Sequence, residues 1–376
     1  METSDLNALA QPLPVSLLTG FLGSGKTSVL NHLVRQPAFR RTLVLINEFG
    51  EIGIDHDLVT HSEEDIIVEM ASGCLCCTIR GDLVRTLREA PGRFARGGVA
   101  SFNRVVIETT GLADPAPILQ TLMTEPVMAR RYQLDGVITV VDAVNGTETL
   151  DRQVEAAKQA AVADRLLLSK TDIAVPLAVE TLEARLRVLN PAAPILPVIQ
   201  GVINPQVLFG AGPYDPKTKR ADVELWLRSE AYADAHAHGH AHHHDVHQPD
   251  VNRHDDHIRA FCVIHDEPIA PHALEAWLEM LLTIRGADLL RIKGIVNIVG
   301  FDGPAVIHGV QHILHPLAVL DRWPGKDRRT RIVFITRDIP RAVLEETLRA
   351  FTGAAGSPES IQAPEHANTP MTEVHK

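Results

Sequence analysis

The chain has 376 residues, with 36 Lys and Arg against 47 Asp and Glu, for a formal charge of −11. That length allows two domains whose cores need no covalent staples. The acidic balance excludes a general nucleic-acid binder, which needs a basic surface to neutralise phosphates.

Residues 1–13 include Glu2 and Asp5 and no basic residue, which does not fit a secretory signal. They are expected to form a disordered tail, and the protein is expected to be cytoplasmic. From residue 14 to about 200 the sequence repeats a short apolar run, a turn and a helix-like segment; the runs are VSLLT, TLVLIN, DIIVEM, RVVIET, GVITVVD and RLLLSK. Short strands apolar on both sides and alternating with helices predict an α/β domain, its mainly parallel sheet covered by helices on both faces.

The first strand runs directly into GFLGSGKT, comprising Gly20, Phe21, Leu22, Gly23, Ser24, Gly25, Lys26 and Thr27, and a helix-like segment follows. Strand, glycine loop, Lys-Thr and helix together make a phosphate loop. Its backbone amides and the helix N-terminus would cradle phosphates, Lys26 would reach the β and γ groups, and the Thr27 hydroxyl would hold Mg²⁺. NEFGEIGID follows the second strand, where Asn47, Glu48 and Glu51 are candidates for a nucleotide-responsive loop, oxygen ligands, or simply a solvated acidic turn.

After the third strand comes GCLCC, which crowds Cys74, Cys76 and Cys77 into four positions of a chain with four cysteines in all. A disulfide, a catalytic thiol and a soft-metal site all use such residues. No oxidising compartment is signalled and no local base or nucleophile pattern accompanies the thiols. Thiolates suit Zn²⁺ and, less selectively, Co²⁺, and a set of two or three leaves a tetrahedral site open, as a carrier requires. The fourth run continues into ETTGLADP. There Glu108 would orient Mg²⁺ through water, and Gly111 would let a backbone amide approach the γ-phosphate and sense its loss. The last run ends in Ser169, Lys170 and Asp172. A carboxylate there accepts two hydrogen bonds from guanine and finds no matching donor pair on adenine, so Asp172 selects GTP. Ser169 stands where Asn is usual, which removes an amide that would brace the loop.

The longest uncharged run, Val188 to Tyr214, is interrupted by Pro191, Pro194, Pro197, Pro205 and Pro213, so no membrane segment is expected. Residues 201–257 read as a linker, in which His236 to His257 hold nine of nineteen histidines with no apolar period. Neutral imidazoles there would bind divalent ions weakly, as an entry point or reservoir. Strand-like and helix-like segments resume at 258–352 and predict a smaller α+β domain. In it His308 and His312 are placed on one face of a strand, with sheet packing as their role. Residues 353–376 read as a disordered tail.

GFLGSGKT, NEFGEIGID, GCLCC, ETTGLADP and SKTD in this order, then a His-rich stretch and a domain with RIKG, HGVQH and RIVFI, resemble the CobW-type P-loop GTPases. The resemblance implies a metal-dependent GTPase with a Cys-x-Cys-Cys metal site, a CobW C-terminal domain and a client metalloprotein. Metal and client differ among relatives, and the oligomeric state stays open between monomer and dimer.

Deleting residues 236–247 is expected to lower the number of weakly bound Zn²⁺ ions while leaving one tight site and nucleotide binding intact, since such a segment adds ligands without adding core. Equilibrium dialysis against Zn²⁺ checks this.

Overall fold

The computed structural model describes residues 12–46, 66–69, 77–96, 99–210, 257–315 and 317–354. The expected strands form β1 (Leu13–Gly20), β2 (Thr42–Ile46), β3 (Ile66–Glu69), β6 (Arg104–Glu108), β7 (Tyr132–Asp142) and β8 (Arg165–Ser169), with the short hairpin β4 (Ala95–Arg96) and β5 (Val99–Ala100) between them. One more strand, β9 (Ile195–Val198), completes a seven-stranded sheet in the order β3-β2-β6-β1-β7-β8-β9, and every pairing in it is parallel. The sequence conceals β9 because Pro197 lies within it. At the sheet edge a strand has one side unpaired, and a proline is tolerated there.

The strands bury both faces, and successive residues choose opposite sides. Leu17 and Ile107 join a core with helices α2 (Cys77–Arg93), α3 (Ala116–Thr124), α4 (Pro126–Arg131), α6 (Val154–Val162) and α7 (Pro176–Leu189). Leu18 and Val106 turn the other way, toward α1 (Lys26–Leu33) and the segment holding Ile203 and Leu208. Helix α5 (Gly146–Arg152) leads from β7 to α6.

The second sheet is antiparallel, with the order β10 (Ile258–His265), β15 (Thr330–Arg337), β11 (Leu289–Val296), β12 (Ala305–Val310), β13 (Ile313–Leu314), and with β14 (Ala318–Val319) also paired to β12. One face, with Phe261, Ile292, Ile332 and Phe334, packs on α8 (Pro271–Arg285) and α9 (Arg341–Ala354) around the enclosed Trp277. The opposite face presents Ala260, Cys262, Leu290, Val333 and Ile335 to the core of the parallel-sheet domain. Helices α6 and α7 thus lie between two sheets, and four of the nine residues of α6, VEAAKQAAV, are alanine.

His308 lies on β12 as expected, but Gln311 adopts a left-handed conformation with φ 51° and opens a turn that takes His312 off the strand. His308 instead stacks on His315, with ring centroids 4.8 Å apart.

One enclosed ionic cluster crosses the seam. The Asp164 carboxylate, 2% exposed, accepts hydrogen bonds from Arg291 Nη2 at 2.6 Å and from Lys293 Nζ, both on β11, and from the Val137 N–H at 2.9 Å. Burial disfavours the carboxylate, but the two cations and these hydrogen bonds outweigh it and hold its pKa at about 2. Burial, aided by Arg291, pushes His315 down to about 4.

Removing Asp164 strands two cations, so Asp164→Ala is expected to cost about 3–5 kcal/mol in urea denaturation. The signs of the two shifts agree. Above about pH 4 the Asp164 contribution is complete, and it is lost as pH falls toward 2; between about 6.5 and 4 the unfolded chain takes up the His315 proton that the folded chain refuses. Stability should therefore fall steadily from pH 6.5 downward, as urea midpoints across that range will record.

Candidate nucleotide site

Because every strand of the first sheet is parallel, β1, β6, β7 and β8 all end at one edge, where ligands of such sheets bind. Gly20 closes β1 with φ 145°, and a Cβ there would lie 2.3 Å from the Val140 carbonyl oxygen. Gly23 and Gly25 continue the loop at φ 71° and 96°, values open to glycine. The loop then enters α1 at Lys26, placing the orphan amides of the helix N-terminus at its centre. Lys26 Nζ donates to the Phe21 carbonyl at 3.3 Å, a side chain folded over its own loop.

Thr27 Oγ1 donates to Glu108 Oε1 at 3.2 Å, and Glu108 is fully buried. A hydroxyl and a carboxylate together at the mouth of a phosphate loop are the hard oxygen donors that Mg²⁺ takes, so the residues present fit that ion. Thr109 Oγ1 donates to Thr19 Oγ1 at 2.8 Å and its N–H to the Leu18 carbonyl, tying β6 to β1 past the strand end. Gly111 then passes so close to the phosphate loop that a Cβ would stand 2.6 Å from the Leu22 nitrogen. That contact requires glycine.

Ser169 braces the loop after all. Its hydroxyl donates to the Ser24 carbonyl at 2.6 Å and reaches the Val141 carbonyl at 3.2 Å, so a shorter side chain on a closer backbone replaces the amide that the sequence lacks. Lys170, at φ 59°, donates to the Gly23 carbonyl at 2.9 Å and pairs with Asp142 at 2.7 Å. Burial works against the Asp142 carboxylate, yet Lys170, Asn145 and the Val144 N–H outweigh it and keep its pKa below the ordinary value. Asp172 lies exposed beyond this cluster, in the turn before α7. Asp142 and Asn145 escaped the sequence reading, although an acid closing the run GVITVVD was the available signal.

Cys74 and Cys76, like Asn47, Glu48 and Glu51, lie outside the described residues, as does the His-rich stretch before His257. Cys77 begins α2, and the chain leaves β3 at Glu69 on the same sheet edge as Gly20 and Glu108. Among the described residues no group of three or more His, Cys, Asp or Glu could hold a metal ion, and no helix is long and apolar enough to cross a membrane.

Residues 14–197 match the model of the CobW/HypB/UreG nucleotide-binding domain, and residues 258–352 match that of the cobalamin synthesis protein cobW C-terminal domain. The chain belongs to the CobW/HypB/UreG family of P-loop GTPases. It is 34% identical over 343 residues to the zinc chaperone YjiA of Escherichia coli, covering 91% of this chain and 98% of that one. To the zinc chaperone CobW of Pseudomonas aeruginosa it is 31% identical over 370 residues, covering 90% and 91%. The crystal structure of Zn(II)-bound YjiA GTPase superposes with a TM-score of 0.64 at 28% identity, over 91% of this chain and 99% of that chain. Both sheets of this CobW-type protein therefore belong to one family architecture.

Ser169→Ala leaves the Ser24 carbonyl short of its donor. It is expected to cost about 1–3 kcal/mol, read as a lower thermal midpoint and weaker GDP binding.

Proposed function

We propose that this GTPase is a metallochaperone that binds Zn²⁺, or with less selectivity Co²⁺, through Cys74, Cys76 and Cys77 and delivers it to a client metalloprotein. The observation that carries the reading is the shared sheet edge. The connection holding the cysteines departs from β3 at the same sheet edge, two strands from the end of β6 that bears Glu108 and three from the end of β1 that bears the phosphate loop. The names of the relatives, zinc chaperones in both cases, support the choice of metal. Reduced thiols fit a cytoplasmic setting.

In this reading Lys26 and the loop amides neutralise the phosphates and Asp172 accepts from guanine; Thr27 directly and Glu108 through water would hold Mg²⁺, which would supply charge stabilisation on the phosphoryl oxygens. Gly111 offers its amide to the γ-phosphate. The parts divide as domain 14–200, extended by residues 201–210 whose Ile203 and Leu208 pack into its core, for nucleotide and metal, and the His-rich stretch His236 to His257 for weak metal capture. Loss of the γ-phosphate loosens the loops at the sheet edge and with them the thiolate site. Reciprocity requires metal to tighten GTP binding by the same factor, and tenfold takes about 1.4 kcal/mol.

The test is Zn²⁺ and Co²⁺ affinity with GDP and with a non-hydrolysable GTP analogue, in the wild type and in Cys76→Ser and Cys77→Ser. Tenfold tighter Zn²⁺ binding in the analogue state, abolished in both variants, is expected, whereas equal affinity in the two states refutes the carrier mechanism. Lys26→Ala should remove GTP turnover without removing the thiolate site.

A further inference from the structure

Gln159 is fully buried on α6, away from the phosphate loop in sequence, yet its side-chain amide donates to two carbonyls of the segment after β6: Gly111 at 3.1 Å and Ala113 at 2.9 Å. Its neighbour Lys158 pairs with Asp114 at 3.0 Å, and Asp114 in turn accepts from the Ala116 N–H and starts α3. Two consecutive residues of one helix therefore hold the segment 111–114 at both ends. The helix itself is fixed to the sheet by Thr139 Oγ1, which donates to the Gln159 carbonyl at 2.8 Å.

Five residues further on is Asp164, two past the end of α6, where the chain has turned to an extended conformation at Ala163 and Asp164 bonds to Val137 of β7. Asn190 Nδ2 donates to the carbonyls of Ala160, Ala161 and Ala163, so the helix end is rigid up to that point. Asp164 is where Arg291 and Lys293 of the second domain are anchored. The grip on the loop thus lies on α6 and the anchor to the C-terminal domain two residues past its end, joined through the Asn190-held backbone, and neither contact touches the phosphate loop directly.

We propose that α6 together with the two residues after it is the lever through which the C-terminal domain positions the loop 111–114 for the γ-phosphate, with Gln159 as the positioning residue that grips that loop. Asn190 holds the helix end and Ala163 together, so a displacement of Arg291 and Lys293 is carried to the Gly111 carbonyl. The Gly111 amide meets the γ-phosphate, which GDP lacks, so that displacement alters contact with GTP more than contact with GDP. The C-terminal domain, with whatever it holds, would then tune GTP against GDP. This rests on the reading of Gly111 as the γ-phosphate contact.

The measurement is the ratio of affinities for a non-hydrolysable GTP analogue and GDP, with kcat alongside, in the full-length chain. Gln159→Met keeps the length but loses the donor without adding a charge. It is expected to lower the ratio and kcat about tenfold while GDP affinity stays within twofold; a merely structural role would weaken both nucleotides alike. Arg291→Gln should lower the ratio about threefold. The double variant should fall no further than Gln159→Met alone, since both act on one element. A product of the two effects, near thirtyfold, or no effect of Arg291→Gln, overturns the lever. Should Gln159→Met fail to fold, Lys158→Gln at the part-buried pair decides, with a two- to threefold fall expected and no change counting against it. Gly111→Ala separates the premise from the inference: an unchanged ratio there defeats the γ-phosphate reading, whereas a fall there without one in Gln159→Met defeats the lever alone.

Discussion

A carboxylate sealed from water cannot stand uncompensated, and Asp164 meets that requirement only by reaching outside its own domain. The nearest cations, Arg291 and Lys293, belong to β11 of the second sheet, so charge neutralisation at this point demands that the two domains be joined in one relative placement. Apolar contact alone would tolerate sliding. An ionic hydrogen bond from Arg291 at 2.6 Å and a second from Lys293 on the same strand do not, and they fix the register of β11 against the ends of α6 and β8.

With that seam fixed, the nucleotide edge is held from behind. Ser169 and Lys170 at the end of β8 fasten the phosphate loop through the Ser24 and Gly23 carbonyls, and Gln159 fastens the loop after β6. These are side chains reaching backbone oxygens, so the bracing uses none of the phosphate loop's amides. A loop held by its carbonyls is ready for an anion before one arrives, which lowers the ordering cost of binding.

The parallel sheet was legible because its strands are uninterrupted apolar runs, and the phosphate loop because its glycines answer a backbone need that no other residue meets. Less legible were features set by distance in three dimensions. Ser169 looked like a loss because a motif records residue type and not how near the backbone lies. Gln159 had no signal at all, its partners being 46 and 48 residues away. His312 was placed on a strand by even spacing, and one left-handed residue, Gln311, broke the count. The strand β9 was hidden by Pro197, which is harmless only because that strand is outermost.

The alanine-lined helix α6 has a consequence for how this protein can be divided. Its small side chains let two sheets approach from either side, and Ala156, Ala157, Ala160 and Ala161 share one buried core with Leu290 of β11. A chain cut in the linker would therefore expose a greasy wall on one half and a bare sheet face on the other. The two halves behave less as beads on a string than as the shells of a bivalve: each is complete in outline, and each is shut against water only by the other.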